Sequence, residues 1–245
     1  MRILALDSTA NTSTAAVLED GKLLSLYTAN IKNTHSETLL PMVKSVLDTL
    51  KLTVDDIDAF AVSEGPGSFT GVRIGVATVK GLAFGKEKKC VGVSTIEALA
   101  KNMEGFAGVV CPIMNARRGQ VYGIVDGYLE GCPTMLADVL EIVRSQVKED
   151  GRPVIFYGDG IDAYEPKILE ELSQAFMLLE KDYFFAPVEV RYQNAAAVAK
   201  LAYEKVKEGE VLHYNDLHPD YMRKAEAEEK LAAGQLPICQ LPKQE

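Results

Sequence analysis

The fold is decided by the stretch Val62-Ser63-Glu64-Gly65-Pro66-Gly67-Ser68-Phe69-Thr70-Gly71-Val72-Arg73-Ile74-Gly75, in which a hydrophobic strand runs into a glycine-rich turn that opens a helix. Gly65 and Gly67 permit backbone angles that other residues rarely adopt, and Ser68 is placed to cap the helix. The free amides of a helix N-terminus attract anions, so the stretch predicts contact with a phosphate or nucleotide through Gly65, Gly67 and Ser68. The Walker lysine and the spacing of a dinucleotide fingerprint are absent, which leaves the ligand open.

The composition is that of an ordinary globular protein. The chain has 245 residues, 47% hydrophobic and 25% charged, enough for one large domain or two modest ones. Its net charge of -9 argues against unaided binding of nucleic acid, because phosphate neutralisation supplies most of that affinity. The four cysteines form no CxxC pair, which favours a reducing cytosol. Asp7 comes too early for a signal-peptide core and no apolar run reaches membrane-spanning length, so we expect a cytoplasmic protein without a membrane partner.

The first part of the chain shows the signals of an α/β domain. A three-stranded meander, with a hairpin turn at Asp20-Gly21, comes before alternating helices and strands. We predict strands at 3–6, 12–19, 22–28, 57–63 and 90–93, and helices at 36–50, from about 71 to 84 and from about 95 to 100.

A glycine-containing boundary at 103–108 predicts a second unit. We predict strands at 109–115, 120–128 and 154–157, and helices near 137–148, from Gly160 through 172 and at 194–207. This order of elements differs from that of the first unit. The expected division is a subdomain at 1–103, a second subdomain at 104–225, and a charged, flexible tail at 226–245.

Polar residues and glycines at strand ends add candidate phosphate contacts. Asp7 and Ser8 directly follow the first strand, and Gly158 and Gly160 flank Asp159 between a strand and a helix. Asp7 either approaches a magnesium ion or caps local amides in an Asx turn. The turn at 158–160 either holds a phosphate or simply begins its helix. The sequence leaves both alternatives open.

The helix after the glycine-rich turn has two apolar sides, because successive residues advance by about 100° around its axis. One domain core needs only one side, so the other is either buried within this chain or packs against another chain. The neighbouring helix at 36–50, with Leu40 and Leu47, is the expected second part of such an interface. The first side contains Val72, Gly75, Val76, Val79, Leu82 and Ala83, and the second contains Ile74, Ala77, Gly81 and Phe84.

A set of motifs recurs along the chain in a characteristic order: Leu6-Asp7-Ser8-Thr9, His35-Ser36-Glu37, the run from Gly65 to Gly75, Gly158-Asp159-Gly160, Pro219, Tyr221 and Arg223. Together these motifs resemble the TsaB (YeaZ) family, over nearly the whole chain and most specifically at residues 65–75. The resemblance implies an actin-like ATPase fold (ASKHA, ribonuclease H-like), duplicated into two α/β subdomains with mixed sheets flanked by helices.

The resemblance also implies a function. Members of this family support the making of threonylcarbamoyladenosine, the modified base beside the anticodon of tRNAs that read codons starting with A. It implies a non-catalytic subunit that dimerises with a TsaD-like catalytic subunit through its N-terminal helices, and a TsaE-like ATPase as a further partner. We expect tRNA contact only through the complex, a homodimer when the chain is alone, and no cofactor of its own, since ATP and magnesium would bind weakly or to a partner.

One part of this resemblance is testable on chemistry. The catalytic relatives place two histidines four residues apart on a helix, so both reach one metal ion. Matched through the strand at 90–93, these positions fall on Thr95 and Leu99, so we expect no metal site and no catalytic residue. The alternative is an actin-like ATPase or small-molecule kinase that uses Asp7, the glycine-rich turn and the turn at 158–160 around magnesium nucleotide. Its weakness is that no acidic residue stands out as the base that activates an acceptor.

Overall fold

Two five-stranded sheets form the framework of the computed structural model, which describes residues 1–31, 34–125, 129–179 and 181–222. The first sheet has the order β3-β2-β1-β4-β5 and the second has the order β10-β9-β6-β7-β8. The strands are β1 (Arg2–Asp7), β2 (Ser13–Glu19), β3 (Lys22–Ala29), β4 (Ala59–Gly65), β5 (Lys89–Ser94), β6 (Val109–Asn115), β7 (Gln120–Val125), β8 (Leu129–Met135), β9 (Val154–Tyr157) and β10 (Tyr183–Phe185). The helices are α1 (His35–Leu50), α2 (Phe69–Ala83), α3 (Thr95–Lys101), α4 (Leu136–Asp150), α5 (Gly160–Glu170) and α6 (Ala195–Glu208).

The two sheets repeat one topology. Each begins with an antiparallel meander, β1-β2-β3 or β6-β7-β8. Each then adds two parallel strands beside the first strand of the meander, β4 and β5 or β9 and β10. This is the duplicated, ASKHA-like α/β fold that the resemblance implied. The expectation that the second half has a different order was wrong, because the predicted elements did not include β8 and β10.

Helices cover both faces of β1, β2, β4 and β5, which explains why these strands are mostly buried, whereas the edge strand β3 is largely exposed. In β1, Leu4 and Leu6 pack in the core beneath α1 and α2. Ile3 and Ala5 point to the opposite face and pack against α6. Asn194 caps α6 by accepting hydrogen bonds from the amides of Ala196 and Ala197. The small alanine side chains of α6 bring this helix close to the sheet. The glycine-rich turn therefore joins the buried strand β4 to α2, whose inner side packs on the sheet.

Several predictions for the second half extend into parts of the chain without a described structure. The strand predicted at 120–128 is β7 as far as Val125, and residues 126–128 lie outside the described ranges. The predicted tail at 226–245, and Arg223 before it, also lie outside them. In the described ranges, no helix combines the length and apolar character needed to cross a bilayer.

Candidate functional site

The glycine-rich turn is covered by a C-terminal segment of the same chain. We call residues 212–222 the strap, which begins where Leu212 pairs with Cys90 at the edge of β5. Farther along, the Asp220 amide donates to the Glu64 carbonyl oxygen at 2.7 Å. Gly65 has a φ of +133°, and a Cβ atom there would lie 2.2 Å from the Asp220 carbonyl oxygen. Glycine is therefore required at position 65 by the approach of the strap, with no ligand needed to explain it.

The loop between β1 and β2 packs against the other side of this turn. The Ser68 amide donates to the Thr9 carbonyl oxygen at 2.7 Å, and a Cβ atom at Gly67 would lie 2.5 Å from the same oxygen. Ser8 Oγ donates to the Gly71 carbonyl oxygen at 2.9 Å. Ser68 is the N-cap of α2, as predicted, and its Oγ accepts from the Gly71 amide. Contacts within the chain thus account for the polar and small residues of the turn.

Asp7 is buried, and its carboxylate is occupied by donors from the chain. One oxygen accepts from the Thr9 amide and the Thr9 hydroxyl, both at 2.9 Å. The other accepts from Ser63 Oγ at 2.5 Å. Burial raises the pKa of Asp7 above its ordinary value, because loss of water disfavours the charged form, although these hydrogen bonds oppose the effect. The geometry is that of the Asx turn, one of the two alternatives left open by the sequence.

The second polar turn is linked to the first by a glutamine. Asp159 accepts from Gln193 Nε2 at 3.0 Å, and Thr12 Oγ1 donates to the Gln193 carbonyl oxygen at 3.2 Å. Burial raises the pKa of Asp159 to about 6. Beside it, Gly158 has a φ of +101°, and a Cβ atom at Gly158 or Gly160 would lie 2.1 or 2.9 Å from the same backbone oxygen of β6. Gln193 therefore bridges the loop after β1 and the turn before α5, the two regions that the sequence offered as phosphate contacts.

These residues do not fit a magnesium nucleotide. Asp7 has three protein donors around its carboxylate, the Ser68 amide already has an acceptor, and the Asp220 carbonyl oxygen covers Gly65. A phosphate at these atoms would have to displace contacts that the chain already makes.

The positions matched to the metal-binding histidines are buried in α3. Thr95 and Leu99 are 0% and 1% exposed. A Cβ atom at Gly158 would lie 2.9 Å from Leu99 Cδ2, so the leucine packs closely against the turn that precedes α5. Among the described residues, no group of three or more His, Cys, Asp or Glu side chains is arranged to hold a metal ion. An aliphatic side chain thus fills one of the two positions matched to the histidines.

The helix α2 buries one apolar side and exposes the other. Val72, Gly75, Val76, Val79 and Ala83 are buried, whereas Ala77 and Gly81 are exposed, Ile74 is half-buried and Phe84, at the C-cap, is 69% exposed. A Cβ atom at Gly81 would have no heavy atom within 4 Å.

The helix α1 packs beside α2. Its two predicted interface residues differ in exposure. Leu40 is 56% exposed, whereas Leu47 is 6% exposed and lies in the core. We call the outer apolar residues of α2, together with Leu40 of α1, the α2 face. It consists of Leu40, Ile74, Ala77, Gly81 and Phe84.

The strap runs beside α2 and borders this face, a feature that sequence reasoning missed. Lys80 Nζ donates to the Leu217 carbonyl oxygen at 3.0 Å and to that of Asn215 at 3.3 Å. Tyr221 stacks on Phe69 with ring centroids 4.8 Å apart, and the Phe84 ring meets that of Tyr214 edge-on at 5.7 Å. The sequence gives only a weak indication that the strap packs on α2, namely Tyr214 and Tyr221 within a largely polar stretch.

The comparisons with known proteins agree with this architecture. Residues 22–231 match the family model described as "TsaD: tRNA N6-adenosine threonylcarbamoyltransferase". The tRNA threonylcarbamoyladenosine biosynthesis protein TsaB of Bacillus subtilis is 34% identical over 96% of this chain and 100% of its own length. Its Escherichia coli counterpart is 30% identical over 94% of this chain and 98% of its own.

A solved structure titled YeaZ from Pseudomonas aeruginosa superposes on the chain with a TM-score of 0.67 at 28% identity. The match covers 90% of this chain and 99% of that one. The sequence relatives and the structural match thus span both sheets, including the glycine-rich turn and α2. The chain therefore belongs to the TsaB (YeaZ) family, within the wider family that the threonylcarbamoyltransferase model describes.

Proposed function

We propose that this chain is a non-catalytic subunit in the biosynthesis of threonylcarbamoyladenosine in tRNA, and that it acts by binding a TsaD-like catalytic subunit through the α2 face. Family membership supports the pathway, since the relatives from B. subtilis and E. coli carry its name. The observation that carries the partner assignment is the exposed apolar side of α2 around Gly81.

The absence of catalytic machinery of its own is supported by two features of the described residues. Thr95 and Leu99 stand at the positions matched to metal ligands, and both are buried. Asp7 is engaged in an Asx turn and the glycine-rich turn is closed by the strap. These groups stabilise the fold, so catalysis would reside in the partner.

The glycine at position 81 of α2 supports the docking of another helix there, because it lowers the stability of α2 without an evident reason in the described part of this chain. A glycine inside a helix destabilises it by about 1 kcal/mol relative to alanine. No described neighbour is close enough to a Cβ atom there to require the glycine. A second chain explains it, because small residues such as Ala77 and Gly81 let helix axes approach closely. Exposed Phe84 and Leu40 then supply apolar area to the same contact.

The other predicted partners belong to the same proposal. A TsaE-like ATPase would join the complex, and tRNA would be contacted only through it, in keeping with a net charge of -9. When the partner is absent, the α2 face would pair with a second copy. One surface serves one occupant at a time, so self-pairing would compete with the heterodimer. The assembly would work in the cytoplasm.

A reconstituted modification assay tests the proposal. Threonylcarbamoyladenosine is measured in tRNA with the TsaD-like enzyme, the other factors of the pathway and ATP, with and without this chain. We expect product only when the chain is added. The essential control adds the Gly81→Arg variant at equal concentration, which should give no product. Equal product without the chain would reject the proposed role.

A further inference from the structure

Apart from Leu40, the residues of the α2 face lie in a segment whose only charged residues are positive. Residues 66–86 contain Arg73, Lys80 and Lys86 and no acidic residue, although the chain has 35 acidic residues. Lys86 is paired with Asp55 at 2.5 Å, and Lys80 is directed at carbonyl oxygens of the strap. Arg73 is therefore the cation of this segment that is most available to an incoming surface.

Arg73 is oriented by aromatic neighbours but is not neutralised. Its Nε donates to the Tyr221 hydroxyl at 2.6 Å, and its Cζ lies 5.4 Å from the centroid of that ring and 5.8 Å from the centroid of Phe69. Within the described ranges it makes no ion pair with a carboxylate. The terminal nitrogens of a guanidinium held by its Nε form a fork that matches a carboxylate in two parallel hydrogen bonds.

The position of Arg73 on α2 places it at the rim of any helix–helix contact there. It directly precedes Ile74 and lies about one turn before Ala77. A helix that packs on Ala77 and Gly81 would therefore remove water from the guanidinium. Burying a cation without an acceptor is strongly unfavourable, so the docking surface must supply acceptors.

We propose that the partner surface that docks on the α2 face is an apolar helix rimmed by aspartate or glutamate, and that a carboxylate of this rim pairs with Arg73. This inference rests on the proposed function, because it specifies the chemistry of the partner that docks at that site. Complementary charges at a rim speed association and fix the orientation of the two surfaces.

A second copy of the chain does not offer this chemistry through α2. Its α2 carries the same cations and no acid. The exposed acids of α1 are already engaged, since Glu37 accepts from Thr34 and Asp48 from Lys44. A direct contact between the α2 helices of two copies would therefore bring like charges together. Added salt should weaken the heteromeric complex but should not weaken the homodimer.

The test measures the affinity of the full chain for a TsaD-like threonylcarbamoyltransferase from the same organism, at about 50 mM and about 500 mM NaCl. The variants are Arg73→Gln, which removes the charge, and Arg73→Glu, which reverses it. Lys167→Glu is the matched control, because this exposed lysine of α5 lies outside α1, α2 and the strap and gives the same change in net charge. Tyr221→Phe controls for loss of the hydrogen bond to Arg73.

We expect wild type to bind at least about tenfold more weakly at the higher salt concentration. At low salt, Arg73→Gln should bind more weakly than wild type and Arg73→Glu more weakly still, by at least about tenfold. Lys167→Glu and Tyr221→Phe should keep the salt dependence of wild type. If Arg73→Gln and Arg73→Glu bind the partner with equal affinity, the proposed acidic rim is rejected. Docking on the α2 face would not be excluded by that result. Absence of binding by wild type at both salt concentrations would overturn the proposed function itself.

Discussion

Gly81 occupies a helical position at which the described part of the chain gives no reason for a glycine. Replacing it by alanine should raise the free energy of unfolding by about 1 kcal/mol, because alanine restricts the unfolded backbone and favours the helix. Gly81→Arg should also leave the monomer folded, since its side chain points into open space, but should abolish partner binding. Urea unfolding and co-elution with the TsaD-like enzyme measure the two effects. Undiminished co-elution of Gly81→Arg would exclude this helix from the interface.

Asp159 predicts a specific pH dependence of stability. Burial raises its pKa from 3.8 to about 6, so the folded state binds the proton more tightly than the unfolded state. The stabilising contribution of that proton is fully present below about pH 4 and is lost as the pH rises to about 6. Asp159→Asn should therefore be more stable than wild type at about pH 7, by at most about 3 kcal/mol. The asparagine oxygen still accepts from Gln193.

Urea unfolding at several pH values from about 4 to about 7 measures this effect. The difference in stability between Asp159→Asn and wild type should grow across that range. Glu189→Gln is the matched control, because it removes the same charge from an exposed acid. A constant difference between Asp159→Asn and wild type would show that the aspartate titrates normally in the fold.

At the scale of elements, α1 presents two leucines in different environments. Leu47 is in the core and Leu40 is exposed. Leu47→Ala should lower the free energy of unfolding by about 2–5 kcal/mol through loss of packing and a cavity. Leu40→Ala should change stability by less than about 0.5 kcal/mol but weaken partner binding. Chemical unfolding and titration with the partner separate the two. Normal partner affinity of a folded Leu40→Ala variant would remove α1 from the proposed interface.

The contacts of the strap with α2 predict how substitutions at Tyr221 change the stability of the fold. Tyr221 stacks on Phe69 and accepts a hydrogen bond from Arg73. Tyr221→Ala should destabilise the fold by about 1–2 kcal/mol, since it removes both contacts, whereas Tyr221→Phe keeps the stack and should cost at most about 1 kcal/mol. Thermal unfolding of the two variants measures the difference. If both melt like wild type, the strap contributes little to holding α2.

Elements with strong local signals were predictable from the sequence. The helices α1, α2 and α6 have regular apolar spacing and capping residues, so their positions were predicted to within about two residues. By contrast, β8 contains Gly131 and Pro133, which weaken a strand pattern, and β10 has only three residues. The strap was missed because its structure comes from contacts with Lys80 and Phe69, far away in sequence. Local patterns carry no information about such partners.

At the scale of the whole molecule, the fold repeats one sheet topology and places a polar turn in each half. The sequence predicted Asp7, Gly65 and Gly158 as candidate phosphate contacts because they follow strands. It did not show that the chain supplies their contacts itself, through the strap, the Thr9 carbonyl oxygen and Gln193. Those contacts join residues about 150 or more positions apart in some cases, as between Glu64 and Asp220. The polar turns of the two halves are thus held in place by contacts within the chain.

This arrangement predicts that magnesium ATP does not bind the isolated chain. A ligand that binds only the folded state at about 100 times its Kd stabilises that state by about 2.7 kcal/mol, so a functional kinase site would raise the melting temperature. Here binding would require Ser68 to lose its acceptor, Asp7 to release its donors and the strap to leave Gly65. We expect neither heat in a calorimetric titration with magnesium ATP nor a change in melting temperature, whereas a protein with a functional kinase site should show both. Saturable binding to the chain alone would favour the kinase alternative, because a partner subunit does not need nucleotide before it meets the catalytic subunit.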